Sequence, residues 1–577
     1  MKDTVPVQVL REYALLADGE RGALIGPRGD IAWMCAPQWH DDAVFSSLIG
    51  GGGVFSVTPR DARMVWGGQY EDGALIWRSR WVTTGGIVEC REALALPSDK
   101  DRAVLLRRLR VLEGTAPVRV RFDPRPGFGR DRIPLRRDGG VWAGSGGGLH
   151  VRLSGLAGAT LDGDGLTAEL ALSPGREHDL VLELSAASLP AMLPAAGALW
   201  ESTEREWAAA VPDLQDTVCP VDARQSYAVL HGLTSSTGAM VAAATMALPE
   251  RAAAKRNYDY RYAWIRDQCY AGMATGAGSA TALFCRSVGF VADRLLADGA
   301  DLKPAYTVSL GRVPDERSLD LPGYPGGSDK VGNWVNEQFQ LDNFGEALLL
   351  FAAAAGHGPL APDQWKAAEQ AAAGIEHRWR EPDAGIWELH NERWTHSRLT
   401  CVAGLRAIAR FAPRSQARRW DELADRILAR TAATSVHPSG RWQRSPTDAR
   451  LDASLLLPAI RGAVAPTDPR SLATVKAVRS ELEEQEYVYR FRHDDRPLAE
   501  AEGAFLLCGF NLALALHRQG DELEAFRRFE RNRAACGSPG LFTEEYDVGQ
   551  RQLRGNLPQA FVHAAMLETS HRLYGSG

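Results

Sequence analysis

The sequence predicts two structural classes in succession. An antiparallel β-sandwich covers residues 1–195, a linker helix 196–219, and an all-helical toroid 220–577. Three observations predict this. A length of 577 residues exceeds what a single core usually holds. In the first third, short runs alternate with period 2 between glycine turns. Beyond residue 220 the apolar residues recur at three and four instead.

The amino-terminal part reads strand by strand. Arg102-Ala-Val-Leu-Leu-Arg-Arg-Leu-Arg-Val111, Val118-Arg-Val-Arg-Phe122 and Leu149-His-Val-Arg-Leu153 alternate apolar with polar side chains. Gly144-Ser-Gly-Gly-Gly148 and Asp162-Gly-Asp-Gly165 have the composition of hairpin turns. Strands this dense, with no helical period between them, suggest a sandwich. The period turns helical at Ala196-Gly-Ala-Leu-Trp-Glu-Ser-Thr-Glu-Arg-Glu-Trp207. Twelve further helical segments centre near residues 233, 270, 289, 345, 371, 403, 427, 457, 477, 509, 528 and 566. Helices joined by irregular loops rich in aromatic and acidic residues fit a ring of helical hairpins with its site on the loop side.

Composition excludes several partners. A hydrophobic content of 45%, a charged content of 24% and a net charge of −6 describe a globular protein without the basic patch that nucleic acid or an anionic membrane would require. Sixteen tryptophans against 13 tyrosines suit a protein that shows indole rings to a ligand as well as burying them. The eight cysteines are scattered, with no CxxC pair and no histidine at metal-ligand spacing. No apolar leader follows Met1, and no apolar run reaches the ~18 residues of a membrane span. The sequence therefore reads as a reduced, cytoplasmic protein, calling for neither metal nor cofactor; its oligomeric state is not legible.

The chemistry concentrates in three stretches. Asn257-Tyr-Asp-Tyr-Arg-Tyr-Ala-Trp-Ile-Arg-Asp267 mixes aromatic faces with a guanidinium fork and a carboxylate, which suits a sugar, apolar on its ring faces and hydroxylated at its rim. In Glu381-Pro-Asp-Ala-Gly-Ile-Trp-Glu388, proline and glycine hold the chain out of a helix and set Glu388 beside Trp387. A carboxyl packed on an indole is poorly solvated and keeps its proton, as a general acid needs. Gly540-Leu-Phe-Thr-Glu-Glu-Tyr-Asp547, followed by Gly555-Asn-Leu-Pro-Gln-Ala-Phe561, offers Glu544 or Glu545 as an ionised base; the residues alone leave that choice open. His493-Asp-Asp495 lies in an arginine-rich loop and reads as solvated rather than metal-binding. Glu337, Asp342 and Glu346 fall on a stretch that reads as one helix and are expected on its polar face. Gly50-Gly-Gly-Gly53 lacks the lysine and helix of a phosphate cradle.

These motifs, with Glu502-Gly-Ala-Phe-Leu-Leu-Cys508 and the amino-terminal Ala23-Leu-Ile-Gly-Pro-Arg-Gly-Asp-Ile-Ala-Trp33 with Pro37, resemble glycoside hydrolase family 15 in order and over nearly the whole chain. The resemblance implies an (α/α)6 barrel behind the sandwich and inverting hydrolysis of terminal α-glucosides. It implies Glu388 as general acid and Glu544 as general base, with Glu545 a structural neighbour. It also implies that Arg266 and Asp267 grip hydroxyls of the non-reducing glucose and that Tyr260 lies near the catalytic water. Trp264 and Trp387 would be walls of the pocket, and Arg490 would face the next sugar. Inversion needs room for a water between sugar and base, and two carboxyls supply both proton transfers without a metal.

The resemblance implies a small oligosaccharide as substrate. In Leu321-Pro-Gly-Tyr-Pro-Gly-Gly-Ser-Asp-Lys-Val-Gly-Asn333, Pro325 and Asp329-Lys330 stand where many relatives carry arginine, and lysine cannot reproduce arginine's fork. This loop is expected on the leaving-group side. The reading leans to a glucoamylase-type exo-hydrolase of malto- or isomalto-oligosaccharides, with α,α-trehalase as the alternative. A glycoside phosphorylase would bring phosphate against the carboxylate of Glu544. A non-catalytic sugar-binding protein would be expected to have lost one of the two carboxylates, and both are present.

Overall fold

The computed structural model describes residues 6–163, 165–250, 257–493 and 496–575. Its β part lies between Ala14 and Ser185 and comprises three antiparallel sheets. The largest runs from Arg136–Asp138 at one edge through Val141–Gly146, Leu149–Ser154, Glu177–Ser185, Arg102–Gly114, Gly86–Leu94 and Trp77–Thr83 to Met64–Tyr70. A four-stranded sheet containing Val54–Pro59 and Val118–Asp123 faces it, and Phe55, Phe122, Trp77, Trp81, Leu105 and Leu182 fill the space between. The hairpin at Gly147 and Gly148 has φ of 57° and 78°, as a two-residue turn that matches strand twist requires. The second expected hairpin pairs Asp162 with Gly165; its residue 164 lies outside the described residues.

The third sheet, of four strands from Ala14–Ala17 to Ala43–Phe45, is buried on both faces. Alternation along its strands divides its side chains between two cores. Ala14, Leu16, Ala23 and Met34 join the sandwich core, whereas Leu15, Ala17, Leu24 and Trp33 join the core of the helical part. Helix α1 (Ala196–Ala210) makes a second joint. Its Trp200 lies 4.4 Å below the Arg91 guanidinium of the large sheet, while Trp207 meets His231 edge-on at 5.4 Å.

The helical part contains α2 (Pro220–Gly232), α3 (Ile265–Thr275), α4 (Ala282–Asp298), α5 (Asp342–His357), α6 (Pro362–Arg378), α7 (Thr395–Ala409), α8 (Arg414–Thr434), α9 (Leu457–Ile460), α10 (Pro469–Glu481), the one-turn α11 (Leu498–Ala501), α12 (Leu506–Arg518), α13 (Glu522–Arg533) and α14 (Ala560–Tyr574). Helices α3, α5, α7, α9, α12 and α14 touch in that order, and α14 returns to α3, closing an inner ring. Inner helices α3, α5, α7, α12 and α14 carry outer partners α4, α6, α8, α13 and α2, and α10 packs on the 3-10 turn Ala453–Leu456 that leads into α9, which gives the (α/α)6 barrel. Burial follows position. Helix α3 buries nearly every residue, whereas outer α8 buries only Trp420, Leu423, Ala424, Ile427 and Thr431, a single stripe at helical spacing.

Two expectations need correction. The helix expected around residue 233 lies at 220–232, started by Pro220 in its first turn and ended where a Cβ on Gly232 would strike Leu75. The stretch 336–346 is not one helix: a short 3-10 turn, Trp334–Glu337, precedes an extended link, and α5 begins only at Asp342. Asp342 and Glu346 are fully buried inside the barrel rather than on a polar face, and burial pushes each carboxyl up to about 7.

Candidate active site

Strand-to-helix junctions and loops at one end of the barrel surround a cavity of about 90 Å3. Its walls include Tyr260 and Arg266 from the entry to α3, Trp387 and Glu388 from the loop before α7, Arg490 and Phe505 from the approach to α12, and Glu544 from the approach to α14. Six of the eight residues expected at the site thus line one cavity although they span nearly 300 positions of sequence.

Glu388 sits at the tip of a closed loop. Asp383 and Glu392 pair at its neck, and Asp383 accepts hydrogen bonds from the Gly385 amide at 2.9 Å and the Ser397 hydroxyl at 2.8 Å, and pairs with Arg398. Gly385 has φ of 70°, and a Cβ there would come within 2.5 Å of the Trp394 ring. Glu388 itself takes φ of 53°, a conformation uncommon outside glycine and found where surrounding structure over-determines a functional side chain.

The indole that meets Glu388 is not Trp387. Trp264 donates its Nε1–H to Glu388 Oε1 at 2.7 Å, and Arg266 Nη2 approaches the same oxygen at 3.3 Å. Trp387 instead donates to Asp452 Oδ1 at 2.8 Å and meets Phe505 edge-on at 5.1 Å. The sequence expectation of a carboxyl packed on its neighbour's ring is therefore corrected: adjacent residues on a tight turn point apart, and the indole comes from a strand 124 positions earlier. Trp264 is buried behind the cavity as a donor rather than forming its wall. Asp267 also lies behind it, with its Oδ2 3.7 Å from Arg266 Nε. Burial pushes Asp267 up to about 6, with Arg266 opposing. Arg266 gives its remaining fork to Gln340 Oε1 at 3.1 Å.

Glu544 is 5% exposed. The Tyr260 hydroxyl lies 3.5 and 3.4 Å from its two oxygens, long contacts of modest strength. Gly555 makes room for it: at φ of 83°, a Cβ there would lie 3.4 Å from the Glu544 Cβ. Burial holds the Glu544 carboxyl well above the usual range, the nearby Glu250 and Glu388 add to the push, and Arg490 opposes it. Burial thus works against the ionised form that the reading of Glu544 as a base requires. Glu545 turns the other way, accepting from the Gly503 amide at 2.8 Å.

Arg490 borders the cavity, but carboxylates surround its guanidinium: Glu502 at 2.5 Å, Glu545 at 3.4 Å and Glu250 at 3.5 Å. His493 adds a contact to Glu502 at 2.9 Å, while residues 494 and 495 lie outside the described residues. Sequence reading missed Glu250 and Gln338 as lining residues, whereas Tyr258 comes from the aromatic stretch and Asn333 and Trp334 from the loop expected beside the pocket. The parallel stack of Tyr258 on Tyr260 was foreshadowed by the alternation of tyrosines; Glu250 had no such signal. Of the loop 321–333, expected on the leaving-group side, Asn333 lines the cavity, while Asp329 and Lys330 do not. Lys330 is paired with Glu316 at 2.9 Å, and Asp329 accepts from Ser318 and the Leu319 and Leu321 amides, so both residues are spent within the loop's own neighbourhood.

A barrel of this kind with facing carboxyls in its mouth defines a class, and sequence comparison places the chain in it. Residues 224–571 match the family described as glycosyl hydrolases family 15, and residues 3–211 match the domain described as trehalase-like, N-terminal. The chain belongs to glycoside hydrolase family 15 and is a glycoside hydrolase. It is 32% identical to the trehalase of Mycobacterium tuberculosis (strain ATCC 25618 / H37Rv) over 97% of this chain and 89% of that one. It is 31% identical to the trehalase of Mycolicibacterium smegmatis over 97% and 91%, and 25% identical to that of Thermoplasma acidophilum over 95% and 98%. Among solved structures, a bacterial glucoamylase complexed with acarbose superposes with a TM-score of 0.75 at 14% identity, covering 99% of this chain and 95% of that one, a likeness of fold. Among the described residues, no helix is long and apolar enough to cross a membrane, and all eight cysteines are free.

Proposed function

We propose that the chain is an α,α-trehalase that hydrolyses its substrate with inversion. The relatives of similar length across almost the whole chain carry that name, which favours it over the glucoamylase reading to which the sequence leaned. The observation that carries the chemistry is that Glu388 and Glu544 line one small cavity, each with its own partners: Trp264 and Arg266 at Glu388, and the Tyr260 hydroxyl, at longer range, beside Glu544.

In this reading Glu388 gives its proton to the glycosidic oxygen as the bond to the anomeric carbon breaks. Glu544 takes a proton from a water that attacks that carbon from the opposite face. The products are one β-glucose from the attacked ring and one α-glucose from the leaving ring. Arg266 and Trp264 hold Glu388 Oε1 in place. Because Glu544 must be ionised to act, its upward shift sets the acidic limb of activity, and Arg490 limits how far that limb climbs.

The test is a panel of trehalose, maltose, isomaltose, panose, starch and dextran, with the first-formed anomer followed by NMR. Trehalose is expected to turn over fastest, giving equal α- and β-glucose initially. Faster turnover of maltose or isomaltose would restore the glucoamylase reading, and release of α-glucose alone from trehalose would remove inversion.

A further inference from the structure

A second cavity, of about 470 Å3, shares no lining residue with the first. Five of its ten lining residues are arginines (Arg380, Arg393, Arg398, Arg426 and Arg430), and none is acidic. Arg398 is spoken for by Asp383. Among the described residues the other four have no carboxylate within ion-pair reach, and all four are exposed at the mouth. Elsewhere on the same helix a guanidinium does find a partner, Arg419 pairing with Glu376 at 2.5 Å.

Solvated arginines beside helix ends are common, and that bland account explains part of the cluster. Arg430 lies in the last turn of α8 and Arg380 just beyond the end of α6, where the helix field favours a cation. It extends to Arg393, whose Nε–H donates to the Arg380 carbonyl at 3.1 Å beyond the end of α6. It does not explain Arg426, two turns inside α8. Arg426 and Arg430 are four apart on one helix face, a like-charge spacing that costs helix stability unless something negative sits over it. Thr434 continues that stripe, with the Ser435 hydroxyl 3.5 Å from its own. Trp379, covered at 4.4 Å by the Arg380 guanidinium, supplies an apolar wall.

Planar guanidinium forks match phosphoryl oxygens in pairs. The cavity is in the size range of sites for small organic ligands and exceeds what a bare anion fills. We propose that this cleft binds a phosphorylated small molecule, with Arg393, Arg426 and Arg430 around the phosphoryl group and the Thr434 and Ser435 hydroxyls beneath it. The site stands on the arginine cluster alone and is independent of which disaccharide the enzyme cleaves.

Calorimetric titration of the full-length protein with glucose 6-phosphate, inorganic phosphate and glucose, at fixed ionic strength, tests it. Glucose 6-phosphate is expected to bind with one equivalent per chain. Affinity should fall about tenfold or more in R426A/R430A, each lost guanidinium removing a charge-assisted contact, and by less in R426K/R430K. Turnover of trehalose without phosphate should stay unchanged in both variants. Equal affinity for inorganic phosphate would identify free phosphate as the source of the anion and still support the site. Absence of saturable binding by either phosphate, undiminished affinity in R426A/R430A, or displacement of the ester by glucose would each overturn it.

Discussion

Glu544 and Glu388 occupy unlike surroundings, one enclosed beside Tyr260, the other open to the cavity and held by Trp264 and Arg266. Replacing either by glutamine keeps the shape and, in the proposed mechanism, removes the proton transfer. Both E388Q and E544Q are expected to lose roughly a hundredfold or more in kcat with an unchanged melting temperature. Steady-state kinetics beside a thermal melt would show it, and near-native turnover in either variant would strip that residue of its role. Glu250 offers a finer test. Its charge pushes the Glu544 carboxyl upward, and a base acts only when ionised. Removing that charge in Glu250→Gln should therefore move the acidic limb of kcat/KM to lower pH, read from pH–rate profiles of the two proteins; an unmoved limb would contradict it. At this scale the sequence disclosed residue types better than directions. The Arg266-Asp267 pair was legible because its composition is unusual. That Trp264 rather than Trp387 meets Glu388 was not, because it depends on a contact across 124 positions.

At the scale of elements, the inner helices are held by a few buried charges. Glu568 on α14 accepts from Arg461 at 2.5 and 2.9 Å and from Arg572 at 2.9 Å, and these cations bring its carboxyl down to about 2 despite full burial. A carboxyl lowered by folding adds stability above its unfolded value near 4.5, and that stability is lost as pH falls toward about 2. Glu568→Gln should thus cost about 3–5 kcal/mol at neutral pH, because Arg461 is left buried without its partner, and the deficit should shrink in acid. Urea melts at pH 7 and pH 3 would check both statements. Most helices were legible from apolar spacing alone. The stretch 336–346 was not, since Asp342 and Glu346 sit at helical spacing but point into the barrel, and periodicity cannot tell a polar face from a buried polar pair.

At the scale of the molecule, the β part is anchored to the catalytic end of the barrel. Arg261, fully buried, forks onto Asp259 and reaches the carbonyls of Trp39 and Asp41 at 3.2 and 2.8 Å. Trp33 is buried and donates to the Ala244 carbonyl at 2.9 Å. A fragment of residues 220–577 would leave Arg261 short of partners and expose the apolar ends that Leu15, Leu24 and Trp33 cover. It is expected to be insoluble or inactive. Soluble yield and trehalose turnover of the fragment would test this; a folded, active fragment would show the β part to be dispensable.

The contact of α14 with α2 and α3 has a consequence for synthesis. Because α14 follows the other helices of the ring in the chain, the nascent polypeptide remains an unsealed crescent until the stretch from Gly540 to Tyr574 has emerged. Glu544 arrives only with that stretch. Premature termination would yield no slow hydrolase but a sticky half-ring, a natural client for chaperones and proteases.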